Sequence, residues 1–454
     1  MAKTLNAEPS TLYAKITCAL RFLLSAVLLL IIIPLTCYPV QTLDFESTVE
    51  NALKNAHDVR ISELDIQIST SARKKAYSLY YPTLSAKWNS EYVKDLTGGT
   101  AQQVTAVGNT VVVENTMYQS LLSVGASYNL FDFGSTGKKV FIANKDVDVK
   151  RTVYSQSVRD IKLKVLSLYS ELLINSRELE TKKELLGLYK ELSLTKERLF
   201  HAGTISKLEM VDEALKVVKT VDAIESVKLK LKTLLQDISF YTGKKYDGED
   251  ILVFDFAGND EDHRGDFNVE KSPEAKIYNL EIEKKKAELE ILKNDRLPQF
   301  GLYSSYMWYG SDLNTYGDAM TSIKPRNYFV GISATWPLFE GFKTTADMEK
   351  ATLEIERLKT EKNKKLAELT NRYTKTDEMR RTGKAGIENQ KEMLTKVQAN
   401  LSMSERLTEQ KVTERVDFLN RKVELVNQRF ELAKVTITRV SAVKELNILA
   451  EEVR

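Results

Sequence analysis

The side chains that most often carry out chemistry are few in this chain, and their spacing does not bring them together. Its 454 residues hold three histidines, His57, His201 and His263, and two cysteines, Cys18 and Cys37. None of the histidines has the short spacing that a metal site takes from one element. Phosphate-cradling glycine loops, dinucleotide fingerprints and nucleophile elbows are missing from the sequence. Asp and Glu abound, but on stretches this rich in Lys and Arg such pairs are solvated helix faces rather than acid–base dyads. The expectation is therefore no enzyme, no metal and no cofactor. A net charge of +3 leaves no basic footprint for nucleic acid.

What remains is architecture. Hydrophobic residues make up 43% of the chain, enough to bury a core, and the many Glu, Lys, Leu and Arg point to long helices. Lys3, Lys15 and Arg21 precede an apolar run, Phe22 to Leu35 (FLLSAVLLLIIIPL). That run is short for a membrane span of about 20 residues and suits the core of a signal peptide over 1–37. An uncleaved inner-membrane anchor is the alternative. Cys37, in the context LTCY, leaves lipoprotein acylation open, although Pro34-Leu35-Thr36 fit that motif poorly. Beyond Cys37 there is no cysteine, so the body uses neither disulfides nor thiolate sites.

The body repeats. YYPTLSAKWNSEYV (80–93) stands beside RLPQFGLYSSYMWY (296–309), and LLSVGASYNLFDFGSTGKKV (121–140) beside FVGISATWPLFEGFKTTADM (329–348). In the second pair Ala126, Leu130, Phe131 and Asp132 fall opposite Ala334, Leu338, Phe339 and Glu340, a constant offset of 208. The same offset sets KLEMVD (207–212) opposite RVDFLN (415–420) and Gly203 opposite Lys411. The chain reads as a tandem duplication.

In the first repeat, 38–241, the pattern predicts a helix, strands about 80–93 and 118–133, a long helix about 137–200 and another about 206–241. A mixed linker covers 242–271. The second repeat, 272–450, has a helix, strands about 297–310 and 327–340, and helices about 342–408 and 413–450. Alternation over 121–131 sets Leu122, Val124, Ala126, Tyr128 and Leu130 against Leu121, Ser123, Gly125, Ser127 and Asn129. Aromatic residues gather at the strand ends, as in the girdles of a membrane barrel. The Gly-, Thr-, Asn- and Asp-rich segments 94–117 and 310–326 read as exposed, mobile tips. Four strands cannot close a barrel, which needs about eight. An open sheet would leave unpaired backbone in lipid, so several chains must share one barrel.

The helical stretches carry coiled-coil spacing. Val158, Ile161, Val165, Leu168 and Leu172 hold it in the first long helix. Leu208, Val211, Leu215 and Val218 resume it after HAGTIS, and Val416, Leu419, Val423, Val426, Phe430, Ala433, Ile437 and Val440 hold it near the end. Gly383 and Gly386 interrupt a long helix, where a kink or local unwinding is expected.

At this point the sequence resembles the TolC-type outer-membrane efflux and export family over nearly all of its body. YPTLS (81–85), LPQFG (297–301), YNLFDFG (128–134), WPLFEG (336–341) and HAGTISKLEMVDEA (201–214) carry the likeness. The resemblance implies a mixed α/β membrane protein: a homotrimer with a 12-stranded β-barrel in the outer membrane, continued by a coiled-coil α-helical barrel in the periplasm. It implies a passive exit duct for efflux or type I secretion, set in outer-membrane lipid and docked to a periplasmic adaptor and an inner-membrane transporter. It places the pore constriction at the periplasmic tip on Asp417, with Asn420 where some members carry a second aspartate. Gly203, Glu209, Asp212, Lys411, Glu414 and Arg415 become candidates for a helix-turn clasp or adaptor contact. The alternative for Asp417 is a solvated acid at a helix start, where acids are favoured anyway. The alternative for the whole chain is a secreted coiled-coil structural or adaptor protein of the periplasm.

Overall fold

Each strand of the protein's main sheet runs directly into, or out of, a helix of about the same lateral position. The computed structural model describes residues 42–94, 102–106, 109–113, 118–246, 252–253, 256, 267–410 and 414–451. The expected signal segment, both cysteines, His263 and Lys411 lie outside the described residues.

In chain order the elements are β1 (Thr42–Leu43), α1 (Phe45–Asn55), α2 (His57–Tyr77), β2 (Thr83–Tyr92), β3 (Gln102–Ala106), β4 (Asn109–Val113), β5 (Tyr118–Phe131), α3 (Ser135–His201) and α4 (Lys207–Thr242). Then come β6 (Leu252–Val253), α5 (Pro273–Asn294), β7 (Gln299–Asp312), α6 (Tyr316–Thr321), β8 (Lys324–Thr335), α7 (Lys343–Glu409) and α8 (Arg415–Ala450). The duplication is metrical. α3 and α7 have 67 residues each, α4 and α8 36 each, and every start is displaced by 208. At 1.5 Å per residue the longer helices reach about 100 Å.

Helix starts are chemically marked. Asp44 accepts from Ser47 N–H at 3.2 Å, Ser206 from Glu209 N–H at 3.2 Å, and Ser272 from Ala275 N–H at 3.2 Å with Pro273 at the first helical position.

The main sheet is antiparallel in the order β2-β5-β7-β8. Below it, α2, α3, α5 and α7 pack side by side in the same order; farther down, α4 and α8 take the places of α2 and α5, giving α4-α3-α8-α7. The exchange happens at an equatorial belt where β1 pairs in parallel with β6. The core lies there: Leu43, Phe45, Tyr169, Leu172, Leu173, Ile238 and Ile448 are buried together, and the Tyr169 hydroxyl donates to the Leu43 carbonyl at 2.9 Å. A buried ion pair joins the two halves, Arg159 of α3 with Glu274 at the start of α5.

Three expectations change. The described residues between paired strands carry regular structure: 102–106 pairs with 109–113 as the β3–β4 hairpin, and 310–326 contains α6. α7 continues as one helix through Gly383 and Gly386 without local unwinding. A Cβ on Gly383 would stand 3.0 Å from Arg439 Cβ, and one on Gly386 3.3 Å from Val435 Cγ1, so these glycines admit α8 close to α7. Third, Leu208, Val211, Leu215 and Val218 are exposed. The core seam of α4 is Glu213, Thr220, Ile224, Val227, Leu234 and Ile238, and the apolar stripe faces away from α3.

Candidate functional site

The sheet has two chemically opposed faces, and strand register assigns every residue to one of them. Thr83 pairs with Ser127, Ser85 with Gly125, Lys87 with Ser123 and Glu91 with Gln119. Across the next ladder Gly125 pairs with Ser305 and Asn129 with Gly301, and then Gly301 with Ser333. All of these share one face, mostly of small and polar residues, which also carries Leu121, Tyr303, Met307, Tyr309 and Phe329. The opposite face carries Leu84, Trp88 and Tyr92 of β2, Leu122, Val124 and Leu130 of β5, Leu302, Tyr306 and Trp308 of β7, and Tyr328, Val330 and Ile332 of β8. Within the single chain Leu84 and Tyr328 are each 78% exposed and Val330 70%. Twelve large apolar side chains on an open face are far more than a water-exposed sheet tolerates. The Trp88 indole N–H on this face donates to Ser120 Oγ at 2.9 Å, so its polar edge needs no water.

At the foot of the sheet the chain turns into its long helices by the same device in both halves. Phe133 and Gly134 have φ of 53° and 89°, and Gly341 and Phe342 have 61° and 66°, again 208 apart with the two residue types exchanged. A phenylalanine in the left-handed region is strained and persists only where the surroundings hold it. Asp132 does so in the first half, accepting from Thr136 N–H at 2.8 Å, Thr136 Oγ1 at 2.6 Å, Asn129 Nδ2 at 2.8 Å and Gly134 N–H at 3.1 Å. Burial pushes this carboxyl up, but the hydrogen bonds from Thr136, Asn129 and Gly134 outweigh it and hold Asp132 below its ordinary range. Around the junctions Phe131, Phe133, Trp336, Phe339 and Phe342 stand exposed, an aromatic rim.

The far ends of the helices hold the residues singled out in sequence. Gly203, at φ 74°, makes the left-handed turn out of α3, while Thr204 N–H reaches back to the Leu199 carbonyl at 2.9 Å. Ser206 Oγ, besides accepting from Glu209 N–H, donates to Glu209 Oε1 at 3.2 Å, so the two side chains hold the helix start together. Glu209 and Asp212 are exposed. Asp417 and Asn420 stand one turn apart on an exposed face of α8, and Glu414 caps that helix without a side-chain hydrogen bond. Arg415 reaches across to Glu191 of α3 at 2.7 Å, linking the second helix pair to the first, and its guanidinium lies 5.1 Å from the Phe418 ring. Lys422 covers the same buried ring at 4.6 Å.

Sequence reasoning missed Glu191 and, more instructively, Glu213. The latter is 1% exposed in the α3–α4 seam, paired with Lys196 at 3.0 Å and Lys216 at 3.2 Å. Burial, and then the Glu213 charge, push the neighbouring Tyr189 hydroxyl up. An acid at a seam position was the available signal, hidden because α4 is acidic and basic all round. Among the described residues no group of His, Cys, Asp and Glu is placed to hold a metal ion, and no helix is long and apolar enough to cross a membrane.

A strand layer with one lipid-compatible face, continued strand by strand into a helical layer about 100 Å long, defines a channel-tunnel protein. Residues 48–244 and 270–450 match the family of outer membrane efflux proteins, and the chain belongs to that family. It is an outer-membrane efflux channel protein, with its sheet in the bacterial outer membrane and its helices in the periplasm, rather than a coiled-coil tether or adaptor. Among solved structures, the CmeC outer membrane channel of Campylobacter jejuni shares 13% identity at a TM-score of 0.75, over 89% of this chain and 85% of that one. CusC, described for conformational changes accompanying folding and transmembrane channel formation, shares 15% at 0.73 over 90% and 92%. The outer membrane protein VceC of Vibrio cholerae shares 12% at 0.68 over 88% and 95%. At these identities the likeness is one of fold. No curated protein sequence matches.

Proposed function

We propose that three copies of this chain close into one barrel and one tunnel, forming a passive duct from the periplasm to the outside. The observation that carries this reading is the pair of open edges. β2 and β8 flank the sheet with unpaired backbone, and such groups cost several kcal/mol each in lipid. The helical layer is open in the same way: α4 and α7 are its edges, with the stripe Leu208, Val211, Leu215 and Val218 exposed on one and Met379, Met393 and Met403 on the other. Three chains would supply twelve strands, within the range of closed membrane barrels.

At the tip, threefold symmetry would turn Asp417 into a ring of carboxylates that binds cations, with Asn420 a neutral second ring. The Arg415–Glu191 bridge would restrain the second helix pair against the first. Glu414, Gly203, Glu209, Asp212 and Lys411 would shape the turns that meet a periplasmic adaptor. The duct itself does no catalysis; energy would come from an inner-membrane transporter. Two measurements test this. The protein in outer-membrane fractions should migrate as a heat-modifiable trimer and form conducting channels in planar bilayers, and Asp417→Ala should relieve block by divalent cations. A monomer without conductance overturns the duct, while unchanged block removes Asp417 from the constriction.

A further inference from the structure

The connection between β7 and β8 does not fold over the polar face of the sheet. Alternation along β7 puts Gly310 on the same face as Trp308, Tyr306 and Leu302, opposite Ser120 of β5. A Cβ on Gly310 would lie 2.1 Å from the Ala319 carbonyl oxygen and 2.7 Å from Ile323 N, so the chain of α6 rests directly on the apolar face. Ala319 of α6 and Ser120 of β5 are both fully buried. The Tyr316 ring packs on Tyr118 at 4.6 Å, and Tyr118 on Tyr92 at 5.1 Å. Ser322 Oγ closes the fold-back by donating to the Ser311 carbonyl at 3.3 Å. The turn is held from within: Asp312 accepts from Asn314 N–H at 2.7 Å, and Thr315 caps α6 by accepting from Asp318 N–H at 3.0 Å.

This arrangement leaves Leu313, Tyr316 and Met320 uncovered, at 61%, 44% and 46% exposure. Tyr316 continues, through Tyr118, the surface that Tyr92 forms at the loop end of the strands, while Asn314, Thr315 and Asp318 supply polar groups of the same short segment. We propose that Leu313–Met320 is a lipid-interface foot: it seats the outward rim of the sheet in the outer leaflet at headgroup depth and leaves the mouth of the duct uncovered by this connection. An apolar body with a wet edge at the end of a membrane strand is what an interfacial anchor requires. The proposal rests on the reading that the apolar face is the lipid-facing wall.

The test is nitroxide accessibility in the trimer reconstituted into phospholipid vesicles. Single cysteines would replace Met320, Leu313, Val330 and Ser305 in turn, on a background with Cys18→Ser and Cys37→Ser, and heat-modifiable migration would certify folding. Collision with molecular oxygen, which concentrates in lipid, is compared with collision with a water-soluble nickel chelate. Met320→Cys and Leu313→Cys should show an oxygen-to-nickel ratio several-fold above Ser305→Cys, and below Val330→Cys. If Val330→Cys shows the lipid signature while both foot positions match Ser305→Cys, the foot is overturned and the barrel wall stands. If Val330→Cys itself reports water, the wall reading fails, and the foot with it.

Discussion

Val330→Arg puts a charge in the middle of the face assigned to lipid. β8 has 12 residues and Val330 is the seventh. At about 3.3 Å per residue and a tilt near 40°, the strand covers roughly 30 Å of membrane normal, so Val330 sits close to the midplane. An arginine there costs about 2–4 kcal/mol per chain, or roughly 6–12 kcal/mol for a barrel of three. Ser305 lies at nearly the same depth, opposite Phe329, on the polar face. Ser305→Arg should therefore change stability by less than about 1 kcal/mol, as substitutions facing a water-filled lumen do. The assay is urea-titrated folding into phospholipid vesicles, scored by the heat-modifiable band, with outer-membrane yield in cells as a second readout. Equal losses from the two arginines, or a larger loss from Ser305→Arg, would refute the face assignment.

Three further outcomes follow from other contacts. Glu274→Leu removes the main partner of the buried Arg159 guanidinium, leaving it only Asp160 at 3.7 Å among the described residues, and should cost up to about 3–5 kcal/mol, whereas Arg159→Met with Glu274→Leu should recover most of it; urea midpoints of the helical circular dichroism signal give both numbers. Gly383→Leu should cost about 1–3 kcal/mol through overpacking against Arg439, while Gly383→Ala offsets a tight 3.0 Å contact with about 1 kcal/mol of helix propensity and changes little, as thermal melting would register. Because the Asp132 carboxyl is held below its ordinary range, its contribution is present above the unfolded carboxyl value near 3.9 and disappears as pH falls through the folded value. Asp132→Asn should flatten that acid limb in trimer melting scans, and an unchanged limb would detach it from Asp132.

The duplication and the fold class were legible because both rest on periodicity. Strand alternation around Val124 and Ala126, the long runs through Ile161 to Leu172, and the constant displacement of 208 are properties of one dimension. What sequence hid were facts of register between distant segments. Leu208, Val211, Leu215 and Val218 have heptad spacing whichever neighbour they meet; only the packed chain shows that Glu213 takes the inner seam and the apolar stripe is left for an outer one. Glu191 became visible as the partner of Arg415 only when α3 and α8 were laid side by side. Gly383 looked like a breaker and Gly310 like the start of an exposed tip, yet one admits a helix and the other a folded-back loop. In both cases the missing side chain leaves room for another segment's backbone or stem, which no local pattern records.

The central claim is that the two open edges of the sheet find each other between chains. Cysteine pairs placed on β2 (Leu84 or Trp88) and β8 (Tyr328, Val330 or Ile332), oxidised in native membranes, test it most directly. The account predicts disulfides between different chains for at least one register, giving a covalent ladder that stops at three subunits. Links confined within single chains, or a ladder running past three, would contradict it.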